Sequence, residues 1–352
     1  MSFEFLDLQI LAGCITIFII VVGVFGNLLT IVALSKYPRV RNVTAAFIIS
    51  LCVADGIFCA AVLPFHAMRF FRSKIWQSNP FLCNAIPFLQ YGNVGISLLF
   101  IAMITINRYV MIAHHTMYSR IYKPINVVAM VIFCIIFSFG MQLPTLFGIW
   151  GKYQYHSTLG TCSISEDERG HSSKVVLFAM GFVVPCVIII CCYTRIFWVV
   201  HSSEMKMTQH ALRTSNNNTD TGKARETKRK RNEWRVTKMV LAIFLSFLIC
   251  YLPITIVKIV DRKVECLSWH IISYVMLFMS ACINPIIYVI MNKQYRKAYG
   301  NVLRCRAAQF FTPSSARRPA EEQPSKTMMS QVSVSMIPMN AIDQDKHAVI
   351  KN

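Results

Sequence analysis

The sequence predicts an all-α membrane protein, a bundle of seven transmembrane helices with its N-terminus outside. Of its 352 residues, 55% are hydrophobic and only 15% are charged, which is too apolar for an ordinary soluble domain. The charged residues leave seven long gaps that are uncharged except for Asp55 in the second, and the shortest, 239–257, has 19 residues. A helix needs about 20 residues to cross a bilayer core. The gaps lack the alternation of barrel strands, so we expect helices.

Each transmembrane element follows from one uncharged gap. The gaps run between Asp7 and Lys36, Arg41 and Arg69, Lys74 and Arg108, Lys123 and Lys152, Lys174 and Arg195, Lys238 and Lys258, and Glu265 and Lys293. They predict a bundle at 9–291, after a short outer N-terminus at 1–8. The first apolar run is too long for the core of a cleavable signal peptide, so we interpret it as a signal anchor.

The basic residues predict the orientation. With the N-terminus outside, the inner segments carry 27 Lys and Arg residues and the outer segments carry 9. Such an excess is typical of cytoplasmic loops. The net charge of +20 is therefore mainly a topology signal. It predicts contacts with anionic membrane lipids and gives no reason to expect a nucleic-acid partner.

Two cytoplasmic segments are polar. The third inner loop, about 201–232, is basic, and two interpretations stay open: a solvated run of charge, or an amphipathic extension of the adjoining helices that meets a partner. Residues 306–352 are rich in Ser, Pro, Gln and Met, which predicts a disordered cytoplasmic tail.

Between the bundle and the tail, residues 292–305 predict a short helix on the membrane surface. The pattern places four residues on one face: Tyr295, Tyr299, Val302 and Leu303. Cys305 ends the segment and is a candidate for palmitoylation.

Three of the thirteen cysteines lie near the predicted outer face, where the environment is oxidising: Cys83, Cys162 and Cys266. A disulfide between Cys83 and Cys162 would fasten the third helix to the second outer loop. Cys266 is then left over.

Asp55 is the only charged residue inside a membrane run, and an ionisable group there is a functional candidate. One interpretation is a neutral, hydrogen-bonded acid that ties helices together. The other is a cation site, because hard oxygen ligands suit a small ion such as sodium. The candidate ligands are Asp55 on the second helix, Asn93 and Ser97 on the third, and Ser280 and Asn284 on the seventh.

Prolines interrupt three helices. The motifs are Asn284-Pro285 with Tyr288 on the seventh helix, Tyr251 with Pro253 on the sixth, and Pro185 with Tyr193 on the fifth. Each proline removes a backbone donor and kinks its helix, and we expect Asn284 to donate to the freed carbonyls. Three kinked helices around one polar centre favour a bundle with two packings.

Arg108 ends the third uncharged gap at the inner face. It either extends to the lipid headgroups or pairs with Glu233, which begins the sixth helix at the same predicted depth. A pair would clamp the two helices, and its release would open a groove for a partner helix. Exposed ion pairs are worth under about 1 kcal/mol, whereas partly buried ones can be worth more.

These features in this order resemble the rhodopsin-like (class A) G-protein-coupled receptors over about residues 20–304. The motifs are Gly26-Asn27, Leu51 to Asp55, Cys83 placed 25 residues before Arg108, Pro185 and Tyr193, Pro253, and Asn284 to Tyr288. The resemblance implies a multi-pass plasma-membrane receptor without enzymatic activity. It further implies an extracellular ligand, a heterotrimeric G protein, arrestin and a receptor kinase as partners. The implied switch residues are Asn107, Arg108, Tyr109, Glu233, Tyr193 and Tyr288.

A closer resemblance is to a subgroup of insect receptors of this class. It is carried by "TAAFIISLCVADGIFC" (44–59), "INRYVMIAHH" (106–115) and "NPIIYVIMNKQYRKAY" (284–299). It implies a role in guided cell migration, notably of germ cells, or in epithelial and glial organisation. Asn107 stands where the wider class usually has an acid, so Glu233 would hold the resting state alone and higher basal activity is expected. Tyr251 replaces the usual tryptophan.

The resemblance places a ligand pocket in the outer half of the bundle. Gln90 and Phe278 stand where amine receptors carry an acid and opsins carry a lysine, which argues against both ligand types. The expected lining is largely apolar and aromatic: Phe65, His66, Gln90, Tyr91, Phe178, Phe182, Tyr251, Thr255, Tyr274 and Phe278. Arg69 and Lys258, expected near its mouth, either meet lipid headgroups or bind the anionic head of an apolar ligand.

Three functions compete on the sequence. The leading one is a signalling receptor, in which an outside ligand shifts the population towards the G-protein-binding packing. The second, motivated by Asn107, is a non-signalling or arrestin-biased receptor. The remote third is a transporter, which would favour more intramembrane charge and repeated halves. The sequence shows no metal-ligand cluster and no nucleophile–base pair, so we do not expect an enzyme.

Overall fold

The structure is a computed structural model that describes residues 3–37, 42–71, 79–213, 220–261 and 263–304, with side chains omitted at 3–5 and 203–232. Within this part, seven helices are long and apolar enough to cross a membrane. They span Leu6–Lys36, Val43–Phe71, Pro80–Ala113, Pro124–Leu146, Lys174–Ser202, Glu233–Val260 and Leu267–Met291. The predicted all-α bundle of seven transmembrane helices is confirmed.

The elements follow the uncharged gaps in chain order. The helices are α1 (Phe3–Lys36), α2 (Val43–Ile57), α3 (Leu63–Phe71), α4 (Pro80–Ala113), α5 (His115–Ile121), α6 (Pro124–Gly140), α7 (Leu143–Leu146), α8 (Lys174–Phe178), α9 (Val184–Arg213), α10 (Asp220–Val260), α11 (Leu267–Met291) and α12 (Lys293–Leu303). The second span consists of α2 and α3, the fourth of α6 and α7, and the fifth of α8 and α9. α1, α4, α10 and α11 form the first, third, sixth and seventh spans.

Two spans contain a π-helical turn, one at Phe58–Val62 between α2 and α3 and one at Ala179–Val183 between α8 and α9. A proline follows each turn, Pro64 in the second span and Pro185 in the fifth. Proline lacks an N–H and clashes with the carbonyl four residues earlier. The wider turn accommodates that clash by changing the hydrogen-bond register.

On the outer side, a hairpin covers the bundle. Strand β1 (Lys152–His156) pairs antiparallel with β2 (Thr161–Ser165). Cys162 in β2 is bonded to Cys83 in α4, so the predicted disulfide is confirmed. The Tyr153 hydroxyl donates to Gln142 Oε1 at 3.0 Å, which fastens the hairpin to the outer end of the fourth span.

On the inner side, α12 follows the last span. Asn292 caps it by accepting the backbone N–H groups of Gln294 and Tyr295. Tyr295 and Tyr299 are buried as expected, and Val302 is half-buried. Leu303 is 61% exposed on the protein surface, so its contact with the membrane stays a prediction. Cys305 and residues 306–352 lie outside the described residues.

Two predicted boundaries differ from the structure. α1 begins at Phe3, so most of the segment 1–8 is helical backbone that continues the first span. α9 runs to Arg213 and α10 begins at Asp220. Most of the segment 201–232 is therefore helical, as expected if the fifth and sixth helices extend beyond the membrane.

The buried side chains form two apolar clusters. The inner cluster includes Phe47, Phe100 and Tyr288, and the outer cluster includes Phe58 and Phe278. Tyr251 packs against both clusters. Its position is therefore suited to connect changes at the outer face with changes at the inner face.

Candidate functional site

Asp55, 2% exposed, is the polar centre of the bundle. Its Oδ1 accepts a hydrogen bond from Ser97 Oγ at 3.0 Å, and its Oδ2 accepts one from Asn284 Nδ2 at 2.9 Å. Asn93 also hydrogen-bonds to this carboxyl group. Ser280 does not join them, because its hydroxyl donates to the Leu277 carbonyl of its own helix at 2.7 Å. The structure therefore brings four of the five predicted cation ligands together.

Asn27 in α1 donates a hydrogen bond at the kink that Pro285 makes in α11. Its Nδ2 donates to the Ala281 carbonyl at 2.9 Å. That carbonyl lies four residues before Pro285, so it is the one that the proline leaves without a helical donor. We expected Asn284 to fill this role, and that expectation is wrong because Asn284 is turned towards Asp55. The residue that fills this role, Asn27, lies on α1 and not on the kinked helix α11.

Tyr251 of α10, two residues before Pro253, lies in an aromatic stack. Its ring centre is 4.7 Å from that of Phe182 and 5.6 Å from that of Phe247. Phe182 lies in the π-helical turn that precedes Pro185. The stack thus joins the irregular part of the fifth span to the kinked part of the sixth.

Arg108, 2% exposed, clamps three helices at the inner face. Its Nη1 lies 2.6 Å from Glu233 Oε2 in α10, so the ion pair expected from the sequence is formed. Its Nη2 donates to Thr44 Oγ1 at the start of α2. Both partners lie on helices other than α4, so any separation of these helices must break a charged hydrogen bond.

Asn107 extends this network. Its Oδ1 accepts from Thr44 Oγ1 at 2.8 Å, and its Nδ2 donates to the Tyr118 hydroxyl in α5 at 3.2 Å. The expectation that Glu233 holds the resting state alone does not fit these contacts, because Thr44 links Asn107 to Arg108. We call the group Arg108, Glu233, Thr44, Asn107 and Tyr118 the inner latch. Thr44 and Tyr118 gave no separate signal in the sequence.

The three tyrosines of the predicted switch lie apart from one another. The Tyr109 hydroxyl contacts His114 Nε2 at 3.0 Å, and the Tyr193 hydroxyl donates to the Thr237 carbonyl in α10 at 3.1 Å. Tyr288 is fully buried beside Cys52, and its hydroxyl has no hydrogen bond of ordinary geometry. Tyr193 is thus the one of the three that ties α9 to α10.

The outer pocket is small, with a free volume of about 40 Å³, whereas ligand pockets usually hold about 300–1,000 Å³. Its lining consists of Gln90, Tyr91, Val94, Tyr251, Ile254, Thr255, Lys258 and Leu277. Five of these were predicted, whereas Val94, Ile254 and Leu277 were missed. The other predicted residues, which do not line it, are Phe65, His66, Arg69, Phe178, Phe182, Tyr274 and Phe278.

Two cationic side chains occupy this outer region. Lys258 donates to the Tyr91 hydroxyl at 3.1 Å. Arg69 was expected near the mouth of the pocket but is only 5% exposed. It packs against the rings of Phe70 and Tyr274, because the π-helical turn before α3 rotates it into the bundle.

Asp261 fastens the outer ends of α10 and α11. Its carboxylate accepts the backbone N–H groups of Cys266 at 2.9 Å and Glu265 at 2.8 Å. His270 Nε2 lies 3.3 Å away. The two backbone hydrogen bonds, assisted by His270, lower the pKa of Asp261 below its usual value. The short connection between the sixth and seventh spans is therefore held by an ionised carboxylate.

The comparisons with known proteins agree with this architecture. A sequence profile described as "7 transmembrane receptor (rhodopsin family)" matches residues 26–288, from the helix that holds Asn27 to the tyrosine after Pro285. The chain belongs to the rhodopsin family of seven-transmembrane receptors. It is therefore a multi-pass plasma-membrane protein, and since this family consists of receptors, it is not an enzyme.

Two relatives lie in the subgroup indicated by the sequence motifs. The chain is 52% identical over 351 residues to "G-protein coupled receptor moody" of Drosophila melanogaster, covering 86% of this chain and 52% of that protein. It is 38% identical over 297 residues to "Protein trapped in endoderm-1" of the same species, covering 80% of this chain and 74% of that protein. The chain thus spans about half the length of the moody protein.

The fold is also that of squid rhodopsin. Its crystal structure superimposes with a TM-score of 0.74 at 24% sequence identity, covering 90% of this chain and 94% of that chain. At this identity the likeness shows the fold alone.

Proposed function

We propose that this receptor converts the binding of an extracellular ligand into activation of a heterotrimeric G protein, by opening the inner latch. The observation that carries the proposal is the buried Arg108 side chain, which is bonded to Glu233 in α10 and Thr44 in α2. A charge at this depth, held by two other helices, is exposed when those helices separate. The groove so formed receives a helix of the partner.

Movement of α10 provides the link between the two faces. Tyr251 lines the outer cavity and stacks on Phe182, so a ligand that enters the cavity displaces it. Glu233 lies 20 residues before Pro253, about 30 Å along a helix. A tilt of about 10° at Pro253 therefore moves Glu233 by about 5 Å, which is enough to break its contact with Arg108.

The Asp55 centre is suited to a sodium ion that favours the resting packing. Asp55, Asn93, Ser97 and Asn284 present carboxylate, amide and hydroxyl oxygens, the donor types that hard cations prefer. Both carboxylate oxygens accept hydrogen bonds from α4 and α11. Bound sodium would supply charge compensation there, and the chain's own contribution is to hold these two helices together.

The inner face also offers room for arrestin and a receptor kinase. The helical extensions to Arg213 and from Asp220 project beyond the membrane, where basic residues are concentrated. By similarity to "Protein trapped in endoderm-1", the biological role we propose is guidance of cell migration, including that of germ cells. The arrestin-biased alternative rested on Asn107, and the contacts of Asn107 within the inner latch support a working switch instead.

The proposal is tested by basal activation of each Gα class in cells, at matched surface expression. Arg108→Ala is expected to abolish basal coupling, since it removes the side chain that the partner meets. Glu233→Ala is expected to raise it, since it removes one side of the latch. Arg235→Ala, an exposed neighbour on the same helix, serves as the charge-matched control and should behave as wild type. If no Gα class responds in any variant while arrestin still binds, the proposal is wrong.

A further inference from the structure

Arg69 and Lys258 converge on one aromatic ring near the outer face. The guanidinium carbon of Arg69 lies 4.8 Å, and Nζ of Lys258 lies 5.3 Å, from the centre of the Tyr274 ring. The two charges are therefore at most about 10 Å apart. Like charges this close inside a protein repel each other unless an anion compensates them.

Neither cation has a carboxylate partner among the side chains that the structure describes. The ion pairs found there join Arg108 to Glu233 and two histidines to Asp167 and Asp261. Arg69 Nη1 is buried and has no hydrogen-bond partner. A buried charge without an anionic partner destabilises a fold. Its presence therefore indicates a binding function.

The surroundings indicate what the anion is attached to. Ring faces of Phe70, Tyr274 and Tyr91 contact the two cations. Lys258 itself lines the outer cavity, whose other walls include the apolar side chains of Val94, Ile254 and Leu277. Because Arg69 is buried inside the bundle, it is shielded from bilayer headgroups. A ligand here needs one anionic group and an apolar body.

We propose that Arg69 and Lys258 bind the anionic head, a carboxylate or a phosphate, of an amphiphile whose apolar body enters the cleft between α4, α10 and α11. The head meets Lys258 in the cavity, and Arg69 is reached by movement of the shared Tyr274 ring. The free volume of about 40 Å³ accommodates only a small head group. The apolar body therefore displaces Tyr251, which also lines the cavity. The inference deepens the proposed function and rests on it for the step from binding to signalling.

Binding to the purified full-length receptor in phosphatidylcholine nanodiscs tests the proposal. The probes share one ten-carbon chain: decanoate, decyl phosphate, decanol and decylamine. At least one of the two anions should bind and raise the thermal unfolding midpoint. Decanol and decylamine should bind at least about tenfold more weakly, since they lack the charge-assisted hydrogen bonds. Decanoate alone assigns a carboxylate head, and decyl phosphate alone assigns a phosphate head.

Charge-removing variants locate the site. Arg69→Gln and Lys258→Gln should each weaken binding of the preferred anion about tenfold or more. Arg169→Gln and Lys263→Gln remove the same charges from exposed positions on the outer loops and should leave binding unchanged. Equal binding of all four probes, or full affinity in both Arg69→Gln and Lys258→Gln, overturns the proposal.

Stability of the ligand-free receptor separates binding from packing. Arg69→Met removes an uncompensated buried charge and keeps an unbranched apolar stem, so the unfolding midpoint should rise by about 2 °C or more. A lower midpoint would assign Arg69 to packing and overturn its role in binding. The binding assay contains no G protein. A receptor that binds decanoate and activates no Gα class would therefore refute the proposed coupling and leave the anion site standing.

Discussion

Thr44→Val is the sharpest test of the inner latch, because it removes one hydroxyl and preserves the shape of the side chain. Thr44 Oγ1 accepts from Arg108 and donates to Asn107. Without it, Arg108 Nη2 and Asn107 Oδ1 both lose a partner in a network where Arg108 Nε already has none. A hydrogen bond to a charged group is worth about 1.5–3 kcal/mol. The resting packing should be destabilised by that amount.

The expected effect on signalling follows from this free energy. Every 1.4 kcal/mol changes an equilibrium about tenfold, so the ratio of active to resting receptor should rise by about tenfold to a hundredfold. From an active population of about 1%, within the usual range of about 0.1–10%, basal activity should increase about tenfold or more. The assay is ligand-free nucleotide exchange on the responsive Gα, at matched surface expression.

A matched control is available in the first span. Thr16 is equally buried, and its hydroxyl donates to the Ala12 carbonyl of its own helix at 2.7 Å. Thr16→Val should leave basal activity unchanged. If Thr44→Val behaves like Thr16→Val while Glu233→Ala raises basal activity, Thr44 does not hold the resting state and our account of Asn107 is wrong.

Three further predictions concern the latch and the outer face. Asn107→Asp should lower basal nucleotide exchange several-fold, because a carboxylate beside the buried Arg108 guanidinium stabilises the resting state by about 1 kcal/mol; unchanged exchange would contradict this. Cys162→Ser opens a disulfide that spans 79 residues and should reduce stability by about 2–5 kcal/mol, measured as surface expression and unfolding midpoint. The exposed Cys266 gives the control Cys266→Ser, which should match wild type. Asp261→Asn should lower the unfolding midpoint equally from pH 5 to pH 8. The folded-state pKa of Asp261 is depressed, so its stabilisation is complete above the unfolded value near 3.8 and is lost only as the pH falls through the folded value. A difference that fades between pH 5 and pH 7 would contradict this prediction.

Features governed by depth in the membrane could be predicted from the sequence. The seven spans follow from uncharged gaps, and the Arg108–Glu233 pair follows from two charges at the same distance from the inner face. Depth also limits the outer disulfide to pairs among Cys83, Cys162 and Cys266, of which the structure contains Cys83–Cys162. Each of these predictions needs only the position of a residue along the bilayer normal, which counting along a helix supplies.

Features governed by rotation about the helix axis could not be predicted in this way. Asn27, not the adjacent Asn284, contacts the carbonyl freed by Pro285, and Ser280 faces its own helix. Thr44 lies in an otherwise apolar run and looks like a helix-start residue. In each case the partner is chosen by the packing of neighbouring helices, and a single sequence does not specify that packing.

The π-helical turn at Phe58–Val62 has a consequence for how such receptors diversify. A π turn accommodates one residue more than an α turn, so the side chains of α3, which follows it, are rotated by about 100° about the helix axis. Removing one residue there would leave Asp55 and the inner half of the second span in place and swing Arg69 out of the bundle. A single-codon insertion or deletion can therefore exchange the set of outer side chains that meet a ligand, while the cytoplasmic machinery keeps its alignment.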